Sequence, residues 1–470
     1  MKIGDILEEA WKLLENAIVE YKGKPIGTLA AKDKSLYKLN YNQIFMRDFA
    51  VSAFAFLLNG RHEIVKNFLE VTVKLQSRTS QMDCFLPAKG TMPASFKISH
   101  TSKGEKLIPD YGEKAIARVA PIDSVFWWLY ILRAYVKKTN DWDYAHSYDC
   151  QQSIKSILEL TLTNRFDMFP TMLVPDGSFM VDRRMGVYGY PLEIQGLFYT
   201  ALLSAKELLI QNNDNKIYFE NINKRLGHLI YHIRKYYWLD FKKLNQIYRF
   251  KIEEYKENAL NQFNIFPESI PPWVFNWLSD DDGYFAGDVG PSRMDFRFFT
   301  AGNLLMILNS LADEKQAHAI LTLLHNREEE LVGEMPLKLC YPALTGRDWE
   351  LITGHDFKNM PWSYHNGGSW PFLMWYIAAA SVKTGLTGHL SEMIELAERR
   401  LSQDNYPEYY DGIHNKLVGK EARRRQTWSI AGYIIAITLL NEPKKTEILT
   451  FDESPEILSR AESSGKELDY

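Results

Sequence analysis

The sequence predicts an all-α protein, an (α/α)6 toroid in which six helical hairpins form a ring. Apolar residues recur at spacings of three and four in about twelve separate segments. The connections between these segments are of two kinds, short polar turns and long loops that are dense in Trp, Tyr, Asp, Arg and Gly. Short turns join antiparallel neighbours, so the long loops would emerge together at one end of the ring. An irregular helical solenoid is the alternative, but the chain shows no repeat of fixed period.

Each predicted helix rests on this apolar spacing. The helices are predicted over residues 3–20, 41–58, 60–76, 120–138, 145–161, 190–211, 217–237, 296–311, 314–331, 369–384, 386–403 and 424–440. In the first of them acidic residues alternate with an apolar stripe. Pro191 suits the first turn of the sixth, and Gly367-Gly368 precede the tenth. The long connections are 77–119, 162–190, 265–295, 334–368 and 404–423, and long loops inside a compact domain usually carry function.

One dominant domain accounts for most of the chain. Of 470 residues 46% are hydrophobic, which is ample for a single large core. No Pro/Gly/Ser-rich stretch that would act as a flexible joint lies between Lys2 and Leu440. We therefore expect a catalytic domain over 1–449, followed by a polar tail over 450–470 that is frayed or disordered.

The charge balance excludes several classes of partner. With 55 basic and 59 acidic residues intermixed, the net charge of −4 gives no footprint for nucleic acid. The densest basic run, 420–425, is best interpreted as a solvated helix start or an anion contact. The longest apolar runs, 49–58 and 430–440, are shorter than the ~18 residues of a membrane span, and the start lacks the features of a signal peptide. The sequence thus predicts a soluble, cytoplasmic protein without a membrane partner, and it leaves open whether the chain forms a homo-oligomer.

The metal-ligating and nucleophilic residues form no familiar motif. Cys84, Cys150 and Cys340 are scattered, and the histidines include no H-x-x-x-H pair on an apolar helix, so we expect neither disulfides nor a metal site. The sequence also contains no P-loop, no G-x-G-x-x-G and no G-x-S-x-G elbow.

The long loops share a composition that suits a neutral, polyhydroxylated ligand. Each combines a carboxylate, an arginine or amide, and several aromatic residues, as in "FMRDF", "PSRMDFR", "WSYHNGGSWP" and "YPEYYDG". Carboxylates, amides and arginines bind sugar hydroxyls, and aromatic faces pack against the C–H face of a pyranose.

Asp182 is the first candidate catalytic residue. It lies in "DRRMGVYGYPLEIQ", directly ahead of an apolar helix, and its simplest interpretation is an Asx turn or a salt bridge to Arg183 or Arg184. The functional interpretation is a general acid on a rigid loop. An acid needs a raised pKa, which a neighbouring guanidinium would lower. If the two arginines do not point away, Asp182 would be the base. Glu193, in the same motif, is as well explained by the helix dipole as by a ligand.

Glu408 is the second candidate. It lies in "NYPEYYDG", where Pro407 stiffens the chain and three tyrosines flank the carboxylate. The alternative is an exposed loop glutamate. His365, in "HNGGSWP", precedes a glycine pair that lets the backbone approach a ligand closely.

These motifs resemble the alkaline/neutral invertases, glycoside hydrolase family 100, which cleave sucrose in the cytosol and organelles of plants and cyanobacteria. The matching stretches include "NYNQIFMRDF", "DYGEKAIARVAPIDSVFWW", "DRRMGVYGYPLEIQ", "RMDFRFFTAGN", "MPLKLCYPAL", "WSYHNGGSWP" and "ARRRQTWSIAGYI" and extend over residues 40 to 440. The sequence differs from the family pattern at Val125-Phe126, Ser292 and Phe357, which bears on substrate selectivity rather than on hydrolysis.

The resemblance implies an (α/α)6 fold, no metal or cofactor, and hydrolysis of the α-glucosyl bond of sucrose with inversion. It assigns Asp182 as general acid and Glu408 as general base. An inverting pair should stand about 6.5–9.5 Å apart. The residues expected to bind substrate are Asp48, Asp123, Arg183, Arg184, His365, Gln426 and Trp428. Two rivals are a sugar epimerase or isomerase, which would need histidine pairs, and a protein that binds carbohydrate without turnover.

Overall fold

A computed structural model describes residues 3–33, 40–79, 88–102, 104–113, 119–162, 169–248, 265–291, 293–335, 337–414 and 416–468. Within these ranges the protein is rich in helix. The helices are α1 (Ile3–Asn16), α2 (Met46–Leu58), α3 (His62–Leu75), α4 (Asp123–Thr139), α5 (Trp142–Ala145), α6 (Tyr148–Thr161), α7 (Leu192–Leu208), α8 (Lys216–His232), α9 (Phe241–Tyr248), α10 (Pro272–Trp277), α11 (Thr300–Leu308), α12 (Glu314–Asn326), α13 (Glu328–Leu331), α14 (Gly346–Thr353), α15 (Met374–Thr384), α16 (Leu390–Gln403), α17 (Thr427–Asn441) and α18 (Pro455–Leu468).

All twelve predicted helices are present, and the errors lie at their ends. The helix predicted over 41–58 starts only at Met46, because a short strand, Ile44–Phe45, precedes it. The helix predicted over 217–237 finishes in a π-helical turn, Ile233–Tyr237. No helix in the described part of the chain is both long enough and apolar enough to cross a bilayer.

Small antiparallel sheets fill several of the long connections. The strands are β1 (Ile18–Tyr21), β2 (Lys24–Thr28), β3 (Ile44–Phe45), β4 (Ser95–Thr101), β5 (Gly104–Asp110), β6 (Trp238–Leu239), β7 (Tyr284–Phe285), β8 (Asp288–Gly290), β9 (Arg293–Asp295), β10 (Phe298–Phe299) and β11 (Cys340–Tyr341). β3, β4 and β5 form one three-stranded sheet, and the other strands pair in twos. Exposed and half-buried residues alternate along β5, which is the signature of a strand and not of a helix.

Six helices form the centre of the protein, and they pack in a cyclic order. α2 packs against α4, α4 against α7, α7 against α11, α11 against α15, α15 against α17, and α17 against α2. Every residue of α11 is buried, and nearly all residues of α2 and α17 are buried as well. A helix that is apolar on all sides must be buried on all sides. These six helices therefore hold the hydrophobic core.

The C-terminal tail differs from the expectation of a frayed segment. Residues Pro455–Leu468 form α18, which packs against α8. Ile457 and Ala461 are buried, and Ser464 Oγ lies 3.2 Å from His228 Nδ1 on α8. The few apolar residues of this segment gave too weak a pattern to predict a helix, and the surface of α8 provides the burial. The boundary of the catalytic domain at residue 449 stays a prediction.

Lys383, near the end of α15, ties the C-terminal segment to the core. Its Nζ donates to the backbone oxygens of Ile307, Leu308 and Phe451 at 2.9, 3.1 and 2.7 Å, and to Ser310 Oγ at 2.6 Å. Two of these acceptors are carbonyls at the C-terminal end of α11, which have no partner within the helix.

We expect Lys383→Met to lower the free energy of unfolding by about 1–3 kcal/mol, because it removes four hydrogen bonds of a partly buried ammonium, although Ser310 and Phe451 still donate to the three carbonyls. Urea denaturation followed by circular dichroism would measure this loss. Lys444→Met, at an exposed lysine, is the matched control. Equal stability of the two variants would show that the Lys383 contacts contribute nothing net.

Candidate active site

Loops that precede four of the central helices contribute to one open cavity, whose empty space of about 1210 Å³ includes solvent at its mouth. Tyr41 precedes α2, Asp182 precedes α7, His365 precedes α15 and Glu408 precedes α17, and all four line it. Asp48, in the first turn of α2, adds a carboxylate from a helix. The cavity therefore lies at the N-terminal ends of the central helices.

Two loops of this cavity are held together by direct backbone contacts. Gly412 N–H donates to the carbonyl oxygen of Trp362 at 2.8 Å, and Ser369 pairs with Tyr410 as an isolated bridge. A Cβ atom on Gly412 would stand 1.8 Å from the carbonyl oxygen of Gly367, so only glycine permits this approach. The contact fixes the loop that carries His365 against the loop that carries Glu408.

Glu408 is buried, and three donors hold its carboxylate. Tyr41 donates its hydroxyl to Oε1 at 2.8 Å, while Oε2 accepts from Lys358 Nζ and from the backbone N–H of Arg423, each at 3.4 Å. The Lys358 ammonium also stands 4.0 Å from the centre of the Tyr364 ring. An ammonium and two further donors thus give this enclosed carboxylate hydrogen-bond partners. The alternative of an exposed loop glutamate is wrong.

Asp182 has the opposite environment. Its side chain is 29% exposed, yet Oδ1 is enclosed and has no hydrogen-bond partner among the described residues. Burial raises the pKa of Asp182 to about 6, against the opposing effect of the cations Arg47, Arg183 and Lys358. A carboxyl with this pKa is still partly protonated near neutral pH.

The two arginines that follow Asp182 do not form salt bridges with it. Arg183 Nη1 donates to both carboxylate oxygens of Asp356 at 2.7 Å, and Arg184 is exposed. The Arg183 side chain is therefore held by a structural carboxylate. Its charge still lowers the pKa of Asp182, but burial has the larger effect.

A second group of charges lies beside the catalytic candidates. Arg47 Nε donates to Asp123 Oδ2 at 2.6 Å, and Gln426 Nε2 donates to Asp48 Oδ1 at 3.1 Å. Burial raises the pKa of Asp48 to about 7, and Arg47 opposes this shift. In the first turn of α7, burial raises the pKa of Glu193 to about 8, so a simple helix-dipole role does not describe this carboxyl.

Aromatic side chains form one wall of the cavity. The His365, Tyr364 and Trp370 rings form one cluster, with centroid distances of 4.0 Å from His365 to Tyr364, 5.3 Å from His365 to Trp370 and 5.0 Å from Tyr364 to Trp370. Trp428 stacks on Phe372 at 4.6 Å, and its Nε1 is enclosed without a partner among the described residues. The wall is rigid, and it still presents an unpaired donor.

Most of the predicted site residues meet in this cavity. Those that line it are Asp48, Asp182, Arg183, His365, Glu408, Gln426 and Trp428. Asp123 is fully buried behind it, where it accepts the Arg47 hydrogen bond, and Arg184 is not among the lining residues. For these two residues the prediction of direct substrate contact has no support from the geometry.

Sequence reasoning missed several residues that the fold brings to the cavity. They are Tyr41, Arg47, Lys358, Tyr364 and Arg423. Four of the five lie inside motifs that resemble the invertase family, so their position in those motifs was a usable signal; they are Tyr41, Arg47, Tyr364 and Arg423. Lys358 is an isolated lysine in a long loop, and nothing in its sequence context indicates that it faces Glu408.

The positions that differ from the family pattern lie in different environments. Val125 and Phe126 are buried in α4, whereas Phe357 is 69% exposed beside Lys358. Ser292 and Cys84 lie outside the described residues. In the ranges that the structure covers, no three His, Cys, Asp or Glu side chains are grouped so that they could hold a metal ion.

Two solved structures that share the fold are a glycosidase and a mannosylglycerate hydrolase. A glycosidase aligns with 95% of this chain and 97% of its own, with a TM-score of 0.55 and 10% identity. Mannosylglycerate hydrolase from Thermus thermophilus aligns with 92% of this chain and 99% of its own, with a TM-score of 0.53 and 10% identity. At such low identity these likenesses establish the fold alone.

Sequence comparison is more specific. The family model described as alkaline and neutral invertase matches residues 10–443. The chain is 51% identical to the probable alkaline/neutral invertase F of Arabidopsis thaliana, over 95% of this chain and 90% of that protein. It is also 51% identical to cytosolic invertase 1 of Oryza sativa subsp. japonica, over 95% of this chain and 80% of that protein.

These matches, together with a sugar-sized cavity that holds two carboxyls in opposite environments, define a glycoside hydrolase. The chain belongs to the alkaline and neutral invertase family.

Proposed function

We propose that this protein hydrolyses sucrose to glucose and fructose by inverting cleavage of the α-glucosyl bond. The observation that carries the proposal is a set of enclosed polar atoms without partners, all on side chains that line one cavity. Within the described residues these atoms include Arg183 Nε, Gln426 Oε1 and Trp428 Nε1. Buried donors and acceptors that the protein leaves unpaired favour a ligand with many hydroxyls.

We further infer that the six central helices form the inner ring of an (α/α)6 toroid. Their cyclic packing order, in which α17 returns to α2, supports this arrangement. The loops that enter their N-terminal ends would then surround the sugar at one end of the ring.

Asp182 acts as the general acid in this scheme. It gives its proton to the glycosidic oxygen while the bond from that oxygen to C1 of glucose breaks, so that fructose leaves as a neutral alcohol. The raised pKa supports this assignment, because a carboxyl of ordinary pKa would already be ionised.

Glu408 acts as the general base. It takes a proton from a water molecule, and the oxygen of that water forms the new bond to C1 on the face opposite to the leaving group. The hydrogen bonds from Tyr41, Lys358 and the Arg423 backbone support an ionised carboxylate in this position. An inverting mechanism requires about 6.5–9.5 Å between the two carboxyls, which leaves room for the water.

The two carboxyls and one water account for every proton and bond in this scheme, so it uses no metal or cofactor. Of the residues that line the cavity within the described chain, only His365 is a histidine, whereas an epimerase would need a histidine pair. The sugar is the only partner that the scheme requires, and we place the reaction in the cytoplasm.

Purified protein incubated with sucrose, trehalose and maltose tests the proposed substrate. We expect glucose and fructose to appear from sucrose in equal amounts and much faster than glucose appears from the two glucose disaccharides. Binding of sucrose without turnover would make this a carbohydrate-binding protein, and preferred cleavage of another disaccharide would overturn the substrate assignment.

A further inference from the structure

His365 and Asp182 face each other with unpaired atoms. His365 Nδ1 stands 3.7 Å from Asp182 Oδ1. Both atoms are enclosed, and neither has a hydrogen-bond partner in the described part of the chain. The separation exceeds a hydrogen bond by about 0.5 Å or more. Two enclosed groups that need only a small shift to pair are poised for a contact.

The backbone and ring of His365 are fixed from several sides. Its N–H donates to Asn359 Oδ1 at 3.1 Å, and its carbonyl oxygen accepts from Cys340 Sγ at 3.3 Å. The Tyr364 and Trp370 rings, whose own centroids are 5.0 Å apart, both pack against the imidazole. These contacts and the backbone hydrogen bonds hold His365, whose side chain is 1% exposed, whereas Asp182, at 29%, is the less enclosed member of the pair.

The imidazole at this position is neutral. Burial lowers the pKa of His365 well below its usual range, and the cations Arg183, Lys358 and Arg47 lower it further. A neutral ring carries one proton, and on Nδ1 this proton is directed at Asp182.

We propose that His365 is a positioning residue for the general acid: its Nδ1–H donates to Oδ1 of Asp182 as the substrate closes the site. Oδ2 is then left to carry the proton that passes to the glycosidic oxygen. After transfer, the same N–H stabilises the carboxylate that has formed. The proposal rests on the assignment of Asp182 as the acid.

The first test compares two substrates with His365→Phe, which keeps the stacked ring and removes its nitrogen atoms. We expect kcat/KM for sucrose to fall about 10-fold to 100-fold, a part of the ~10²–10⁴-fold effect of acid catalysis. For α-glucosyl fluoride we expect less than about a threefold loss, because fluoride leaves without protonation. Equal losses on both substrates would show that His365 acts on the sugar or on folding and would overturn the proposal.

A matched pair of variants locates the nitrogen that matters. The amide nitrogen of Asn can occupy the place of Nδ1, and that of Gln the place of Nε2. We expect His365→Asn to retain more sucrose hydrolysis than His365→Gln. The reverse order would also contradict the proposal.

The pH profile provides a readout that a structural role would not move. The groups that act on Asp182 are Arg47, Arg183, Lys358, Glu408, Asp48, Tyr41, Tyr364 and His365. A donated N–H favours the ionised carboxylate, so its loss raises the pKa of the acid. The alkaline limb of kcat for sucrose, which reports the enzyme–substrate complex in which the contact forms, should therefore shift to higher pH in His365→Phe, and an unchanged or lowered limb would oppose the proposal. Absence of sucrose turnover by the wild type would instead refute the proposed function itself.

Discussion

Asp182→Asn is expected to lower kcat/KM for sucrose by about 10²–10⁴-fold, the loss associated with removal of a general acid. Asn has nearly the same shape as Asp but cannot give a proton to the glycosidic oxygen. Hydrolysis of α-glucosyl fluoride should fall far less, because fluoride does not need that proton. Steady-state kinetics on the two substrates measure the difference.

The control for this variant is Asp149→Asn, at an exposed carboxylate on α6. Circular dichroism of Asp182→Asn should match that of the wild type, because the substitution keeps the volume of the side chain. If Asp182→Asn retained most of its sucrose activity, Asp182 would not be the acid. A loss of equal size on the fluoride would instead favour a role as base.

Glu408→Gln is expected to lower kcat/KM by a similar factor, about 10²–10⁴-fold, on both substrates. Water must be activated whichever leaving group departs, so hydrolysis of the fluoride should fall as much as hydrolysis of sucrose when the base is lost. The amide oxygen can still accept from Tyr41, whereas the amide NH2 replaces the oxygen that accepts from Lys358, so circular dichroism must show that the fold is intact. Kinetics on sucrose and α-glucosyl fluoride, beside the exposed-site control Glu462→Gln, measure the effect.

A small anion can enter the space left by the missing base, and the product that it forms shows on which face of the sugar Glu408 lies. In Glu408→Ala we expect azide to restore cleavage of α-glucosyl fluoride and to give β-glucosyl azide, because the anion would attack C1 from the side of the lost carboxylate. Formation of the α-product would place Glu408 on the wrong face of the sugar. Full activity of Glu408→Gln without azide would remove it from the reaction altogether.

The sequence predicted the main helices because long amphipathic or apolar segments have a clear period. The hairpin of β4 and β5 was missed because each seven-residue strand carries only a few apolar residues among polar ones. α18 was missed because its burial depends on α8, which the sequence pattern of the tail does not reveal. The local sequence pattern thus predicted the secondary structure that a segment can form alone. It did not predict secondary structure that depends on burial against a neighbouring element.

For the site, the motifs predicted which loops contribute to the cavity. They predicted less reliably which side-chain atoms contact each other. Asp182 and Glu408 line one cavity although they lie far apart in the chain. The salt bridge between Arg183 and Asp356 depends on a tertiary contact, so the local sequence around Arg183 could not predict it. The same holds for Lys358 beside Glu408, since a lone lysine in a loop is usually solvated.

An NMR time course of sucrose hydrolysis tests the central claim most directly, because it shows which anomer of glucose forms first. With Asp182 as acid and Glu408 as base on opposite faces of C1, the wild type should release β-glucose, which then equilibrates with the α-anomer. Asp182→Asn, run alongside, should release almost none. Initial α-glucose from the wild type would contradict either the inverting mechanism or cleavage on the glucosyl side.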